Sequence, residues 1–113
     1  MTFPLRGEIW QVVLDPIVGS EIGKSRPAVV ISNNRSNEFS STITVLPITS
    51  KTLSVYPFEV LLEKEESSLP VDSKIKCNQV RTLDKSRLSR IIGQLSPDKI
   101  KEVEQALLIH LGI

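Results

Sequence analysis

The 113-residue chain holds one cysteine and one histidine, and only 4% of its residues are aromatic. A lone Cys77 excludes a disulfide framework within one chain. Cys77 with His110 falls short of the clustered ligands of a structural zinc site, and no metal or cofactor is expected. Catalysis that shuttles a proton between two histidines is excluded within one protomer. One Trp, one Tyr and three Phe supply too little ring surface to stack many bases or to line a polyproline groove. Neither sign of charge predominates: 14 Lys+Arg face 13 Asp+Glu, a formal net charge of +1. Nucleic-acid binding would therefore need a local patch rather than bulk charge. Long apolar runs are missing too. Pro4, Arg6, Glu8 and Asp15 interrupt the first twenty residues, unlike a signal-peptide core. The longest uncharged run, Phe39 to Ser50, is half polar and too short to span a bilayer. These absences point to a soluble protein of the reducing cytoplasm with no membrane partner.

A chain of this length is expected to form one domain over residues 1–113, burying roughly two-thirds of its unfolded surface. Short Val-, Ile- and Leu-rich bursts predict strands at Gly7–Leu14, Ala28–Ser32, Thr42–Ile48, Phe58–Leu62, Ser73–Val80 and Arg90–Leu95. Between them stand Asp15-Pro16 with Gly19 and Gly23, Asn33-Asn34, Tyr56-Pro57 and Ser67-Ser68-Leu69-Pro70, all turn chemistry. Five or six short strands at intervals of about 8–15 residues predict a meandering antiparallel sheet curled into a small barrel. Val29-Val30-Ile31 does not alternate, which suggests strands covered on both faces. At the end of the chain the period changes. Ser96 is an N-cap, Pro97 suits the first helical position, and Asp98 complements the helix start. Ile100, Val103 and Leu107 recur at helical spacing and Gly112 can stop the element, so an amphipathic helix is expected to pack on the barrel. Asp84–Arg87 suggests a helical turn capped by Asp84. The Glu63–Glu66 cluster (EKEE) reads as a solvated hairpin end.

Three segments could carry chemistry. The Asp15–Pro27 connection is long for a strand link and carries Glu21, Lys24 and Arg26 among two glycines and two serines. Such a loop can offer backbone N–H groups and a guanidinium to an anion; the plainer account is surface pairing of Arg26 with Glu21. Pro47-Ile48-Thr49-Ser50-Lys51 places two hydroxyls at the end of an apolar strand, where they could serve a site or merely open a turn. In Asn78-Gln79-Val80-Arg81-Thr82, strand alternation would put Gln79 and Arg81 on one face, suited to phosphate and base edges or simply forming a polar outer face. His110 continues the helical spacing and reads as a tucked or helix-end residue. Cys77 reads as a small core hydrophobe, and Trp10 as core.

Read together, Arg6-Gly7-Glu8-Ile9-Trp10, Gly19-Ser20-Glu21, Lys24-Ser25-Arg26-Pro27-Ala28-Val29-Val30, Val45-Leu46-Pro47-Ile48-Thr49-Ser50 and Gln79-Val80-Arg81-Thr82-Leu83-Asp84 resemble the MazF/PemK toxins of type II toxin–antitoxin pairs. The match runs in order from Arg6 to about Leu111. The resemblance implies a mainly β (α+β) fold: a small SH3-like antiparallel β-barrel of 5–7 strands with a C-terminal helix and one or two short helices, working as a homodimer. It implies a metal-independent endoribonuclease that cuts single-stranded RNA (mRNA) at short sequences and inhibits translation and growth, blocked by a cognate antitoxin lying across the same surface. Arg26 and Thr49 match the family's catalytic residues. Glu21, Gln79 and Arg81, with Ser20, Lys24 and Ser50, are expected along the RNA groove. Two other functions compete. A gyrase-poisoning toxin of the CcdB kind needs no Arg–Thr pair, and an SH3-like peptide adaptor would need more aromatic residues.

Overall fold

The computed structural model describes residues 3–113. Seven strands, β1 (Glu8–Val13), β2 (Ser25–Val30), β3 (Thr42–Thr49), β4 (Glu59–Leu62), β5 (Ser73–Lys76), β6 (Arg81–Asp84) and β7 (Leu88–Gln94), form one antiparallel sheet in the order β4-β5-β3-β2-β1-β7, with β6 also on β3. Helices α1 (Asn34–Phe39), α2 (Lys64–Ser67) and α3 (Pro97–Leu111) and a 3-10 turn at Lys85–Arg87 complete it.

The predicted barrel is curled but not closed: β4 and β7 stand at the two ends of the strand order. Strand β3 is shared between two partners along one edge. Its first half, Thr42–Val45, pairs with β6, and its last two residues, Ile48 and Thr49, pair with β5. Pro47, which has no N–H to continue a ladder, sits at that handover. The single strand expected over Ser73–Val80 is accordingly two, β5 and β6, joined by a turn at Cys77–Gln79. The two ends of the sheet approach through α2, since a Cβ on Gly93 of β7 would stand 2.8 Å from the Ser67 carbonyl oxygen.

Both faces of the central strands are covered. One face packs Ile9, Val29, Leu46, Ile48, Val60, Leu62 and Ile75 under Val103 and Ala106 of α3. The other packs Val12, Leu14, Ala28, Val30, Ile43, Val45 and Leu83. Successive residues Val29 and Val30 enter different clusters, as the lack of alternation predicted. Cys77 is fully buried among the first set, and Trp10 packs against the second, with its indole N–H donating to Glu8 Oε1 at 3.0 Å. Gly7 is required where β1 begins: its φ is +92° and a Cβ would sit 2.8 Å from Ile100 of α3.

The predicted caps form. Ser96 Oγ accepts from Lys99 N, Gly112 ends α3 in the left-handed region, and the Asp84 carboxylate accepts from Ser86 N. Two short helices replace predicted turns. Asn33 is the N-cap of α1, accepting from Ser36 N at 2.8 Å, and the buried Asn37 anchors that helix by donating to Ser32 O at 2.9 Å. In the acidic cluster, Glu66 accepts from Glu63 N at 3.0 Å, half of a capping box that starts α2. Among the described residues no helix is long and apolar enough to cross a membrane.

Candidate functional site

The site is assembled where β2, β3 and two turns meet. Arg26 stands on β2 rather than in the preceding loop, opposite Val12 of β1. On the other side, β2 and β3 pair Ala28 with Pro47 and Val29 with Leu46. The β2–β3 ladder ends at the Ala28–Pro47 pair, and Arg26 and Thr49 each lie two residues beyond it. Val30 and Ala28 face the second core cluster, so Arg26 continues their face beyond the edge of the core.

Thr49 is 6% exposed, and its Oγ1 accepts from Lys51 N at 3.2 Å. This bond fixes the hydroxyl where the strand becomes a loop and leaves its O–H as a donor. Arg26 is half-buried and donates through Nε to Gly23 O at 2.9 Å. That anchor leaves the two Nη groups as a fork for a ligand. Glu21 does not pair with it: the Glu21 carboxylate accepts from Val18 N at 2.7 Å within its own loop.

Two grooves open on either side of this loop. One, of about 340 Å³, is lined by Lys24, Ser25, Arg26 and Ser50 on one side and by Leu69, Pro70, Val71 and Ser73 on the other. The second, of about 410 Å³, is lined by Ser20, Glu21, Asn78, Gln79, Val80 and Arg81. Seven of the eight residues singled out in the sequence therefore line these two grooves; Thr49, buried between Ile48 and Ser50 in the chain, lines neither. Gln79 lies in the β5–β6 turn rather than on a strand, so alternation does not explain why it and Arg81 share a groove. Its Oε1 instead accepts from Ile22 N at 2.8 Å, tying the turn to the early loop.

That loop is held firmly for its length. Its two ends close through Leu14 N to Lys24 O (2.8 Å) and Lys24 N to Asp15 Oδ1 (2.8 Å), and the Asp15–Pro16 peptide is cis. Arg81 donates through Nη2 to Leu14 O at 3.1 Å, and Arg87 donates to Val13 O and Asp15 O. Within the second groove two buried polar atoms, Arg81 Nη1 and Asn78 Oδ1, have no hydrogen-bond partner. An unpaired buried donor and an unpaired buried acceptor are each costly unless a ligand or water meets them.

Beyond Thr49 the sequence reading missed a buried charge cluster. Glu59 of β4 lies between Lys74 and Lys76 of β5, at 2.9 Å and 3.1 Å. Burial would raise the Glu59 carboxyl, but Lys74, the Tyr56 N–H and Lys76 together hold it below its ordinary 4.5. The alternation Lys74-Ile75-Lys76 opposite Glu59 was the available signal. Burial pushes the Cys77 thiol up to about 12, which leaves it inert near neutrality. His110 is exposed in the last turn of α3, its ring 6.5 Å from that of Phe58. Among the described residues no three His, Cys, Asp or Glu side chains gather as a metal site would need.

The fold and site define a small protein with an open antiparallel sheet and two grooves, one beside the Arg26 guanidinium and one holding an unpartnered Arg81 donor. Comparison with known proteins narrows the class. Residues 5–111 match the model of the PemK-like, MazF-like toxins of type II toxin–antitoxin systems, and the chain belongs to that family. It is 45% identical to endoribonuclease MazF9 of Mycobacterium tuberculosis over 113 residues, 96% of each chain. Among solved structures, MazF from Deinococcus radiodurans superposes with a TM-score of 0.87 at 29% identity, covering 100% of both chains. The MazE–MazF structure from the same organism gives 0.78 at 28%, covering 97% of each.

Proposed function

We propose that this protein is the endoribonuclease toxin of a toxin–antitoxin pair, and that it cuts single-stranded RNA without a metal by directing the RNA's own 2′-OH onto the adjacent phosphate. The observation that supports the reading is the pairing of β2 with β3, which brings the strand ends carrying Arg26 and Thr49 to the same end of the sheet, where Arg26 and Ser50 line one groove. In this reaction O2′ forms a bond to phosphorus while the P–O5′ bond breaks. The 2′ proton is lost, the O5′ leaving group gains a proton, and a 2′,3′-cyclic phosphate results. No external nucleophile is consumed. The enzyme's work is to hold sugar and phosphate in line and to stabilise charge on the phosphorane-like transition state. Arg26, permanently charged and fork-shaped, meets the phosphate oxygens. Thr49 Oγ1, oriented by Lys51 N, donates to the phosphate or holds the attacking hydroxyl.

The second groove takes the flanking nucleotides. Arg81 Nη1 is a donor for a phosphate, while Asn78, Gln79, Glu21 and Ser20 offer groups for base edges. Lys24 and Ser50 border the scissile position. The protein works in the cytoplasm as a homodimer, and its antitoxin silences it by occupying these grooves. Incubation of the purified protein with a long RNA in EDTA tests the reading. Cuts at a repeated short sequence support it; intact RNA together with trapped gyrase–DNA complexes would replace it with a gyrase poison.

A further inference from the structure

The loop from Ser50 to Phe58 begins immediately after Thr49, its first residue borders the Arg26 groove, and it has no regular secondary structure. Leu53 at its tip is fully exposed. A nine-residue segment of this kind has few apolar contacts to order it. What reaches it from the sheet is Lys74. On β5, Lys74 is the register partner of Thr49. Ile75 enters the core under α3, so Lys74 leaves the strand on the opposite face, shared with Thr49. There its Nζ donates to Ser54 O at 2.6 Å and to Glu59 Oε1 at 2.9 Å, and lies 5.8 Å from the centre of the Tyr56 ring. Glu59 Oε1 also accepts from Tyr56 N at 3.0 Å, and Tyr56 stacks on Phe58 with centroids 5.5 Å apart.

Burying a lysine and a glutamate for stability alone is a poor bargain, because well-packed apolar residues of the same volume serve as well or better. Here one donor of the lysine goes to a loop carbonyl and another to Glu59. We propose that Lys74, seated by Glu59, is a positioning residue that ties the Ser50–Phe58 loop to β5 at the position paired with Thr49, and so sets which RNA sequences enter the Arg26 groove. This rests on the endoribonuclease reading above. Lys74 touches no reacting atom; it acts through the loop.

The test compares wild type with Lys74→Met, Lys74→Arg and Val60→Ala. Val60 lies next to Glu59 on β4 but faces the α3 core, so its truncation loosens the strand without touching the loop. Steady-state cleavage of an RNA oligonucleotide, the cut-site profile on a long RNA and hydrogen exchange at the Tyr56 amide are measured. Loss of a charge-assisted hydrogen bond predicts for Lys74→Met a KM about tenfold higher, Tyr56 exchange about tenfold faster, a broadened cut-site profile and kcat within about threefold. Lys74→Arg restores most of each, and Val60→Ala leaves KM and profile alone. If Lys74→Met does not fold, Lys74→Gln is expected to change the same quantities in the same direction. A Lys74→Met enzyme with the wild-type KM and profile, or effects matched by Val60→Ala, overturns the proposal. If the wild type itself leaves RNA intact, it is the endoribonuclease reading that falls. The exchange measurement then still decides the tie, and an unchanged Tyr56 rate in Lys74→Met overturns it.

Discussion

Replacing Glu59 by glutamine removes one negative charge from between two ammonium groups while keeping the side-chain volume and an oxygen for the Tyr56 N–H. The Glu59 side chain is wholly unexposed, Lys74 is 9% exposed and Lys76 is 22% exposed. Breaking a buried pair by removing one partner costs about 3–5 kcal/mol. Water can take over part of the solvation of Lys76, which sets the expectation at the lower end, about 3 kcal/mol. With an unfolding entropy of about 2.1 cal/mol/K per residue, a chain of this length loses about 0.24 kcal/mol per degree near its midpoint, so Tm should fall by about 12 °C. Thermal unfolding followed by circular dichroism at pH 7 measures it. The pH dependence has a fixed sign. The folded-state pKa of Glu59 is held below the ordinary value of 4.5. Its contribution is therefore complete above the unfolded pKa and is lost as pH falls through the folded one. The curves of wild type and variant should stand apart at neutral pH and converge in acid. A Tm within about 3 °C of wild type at pH 7, or a gap that persists undiminished about two units below the ordinary carboxyl pKa, would refute the reasoning.

Three further outcomes follow from the same contacts. Gln79→Ala removes the acceptor of Ile22 N and should cost about 1 kcal/mol, exchange the Ile22 amide several-fold faster and raise KM for RNA; an unchanged exchange rate shows the loop is held otherwise. Gly93→Ala should lower Tm by about 4–12 °C, because the new methyl meets the Ser67 carbonyl and forces α2 away from β7; an unchanged melt means the two ends of the sheet are independent. Lys24→Ala, at the rim of the Arg26 groove, should reduce the slope of log binding constant against log salt by about 0.7, and an unaltered slope removes Lys24 from the phosphate path.

Most strands, the last helix and its caps were legible in the sequence because their signals are local: Ser96, Pro97, Gly112 and the Ile100–Val103–Leu107 stripe need no partner to be read. The elements that were not legible are those decided by tertiary contacts. Asn33-Asn34 looks like a turn until the buried Asn37 is seen to anchor α1 to Ser32. Ser73–Val80 looks like one strand until Pro47 divides β3 between two partners. The candidate site residues were named from motifs, but the grouping of Gln79 with the early loop depends on a hydrogen bond spanning 57 residues, which no window of sequence contains. The buried Glu59–Lys74–Lys76 cluster was hidden for another reason. Charged residues are read as surface by default, and only cross-strand pairing shows these three to be inside.

The central claim is that Arg26 and Thr49 allow an RNA to cut itself through its own 2′-hydroxyl, and the ends it leaves test this most directly. Mass spectrometry of fragments released in EDTA should find a 2′,3′-cyclic phosphate on the upstream piece, from wild type and, at a rate about 10²–10³ lower, from Arg26→Ala. A 3′-hydroxyl end, or an Arg26→Ala enzyme that cuts as fast as wild type, would contradict the account.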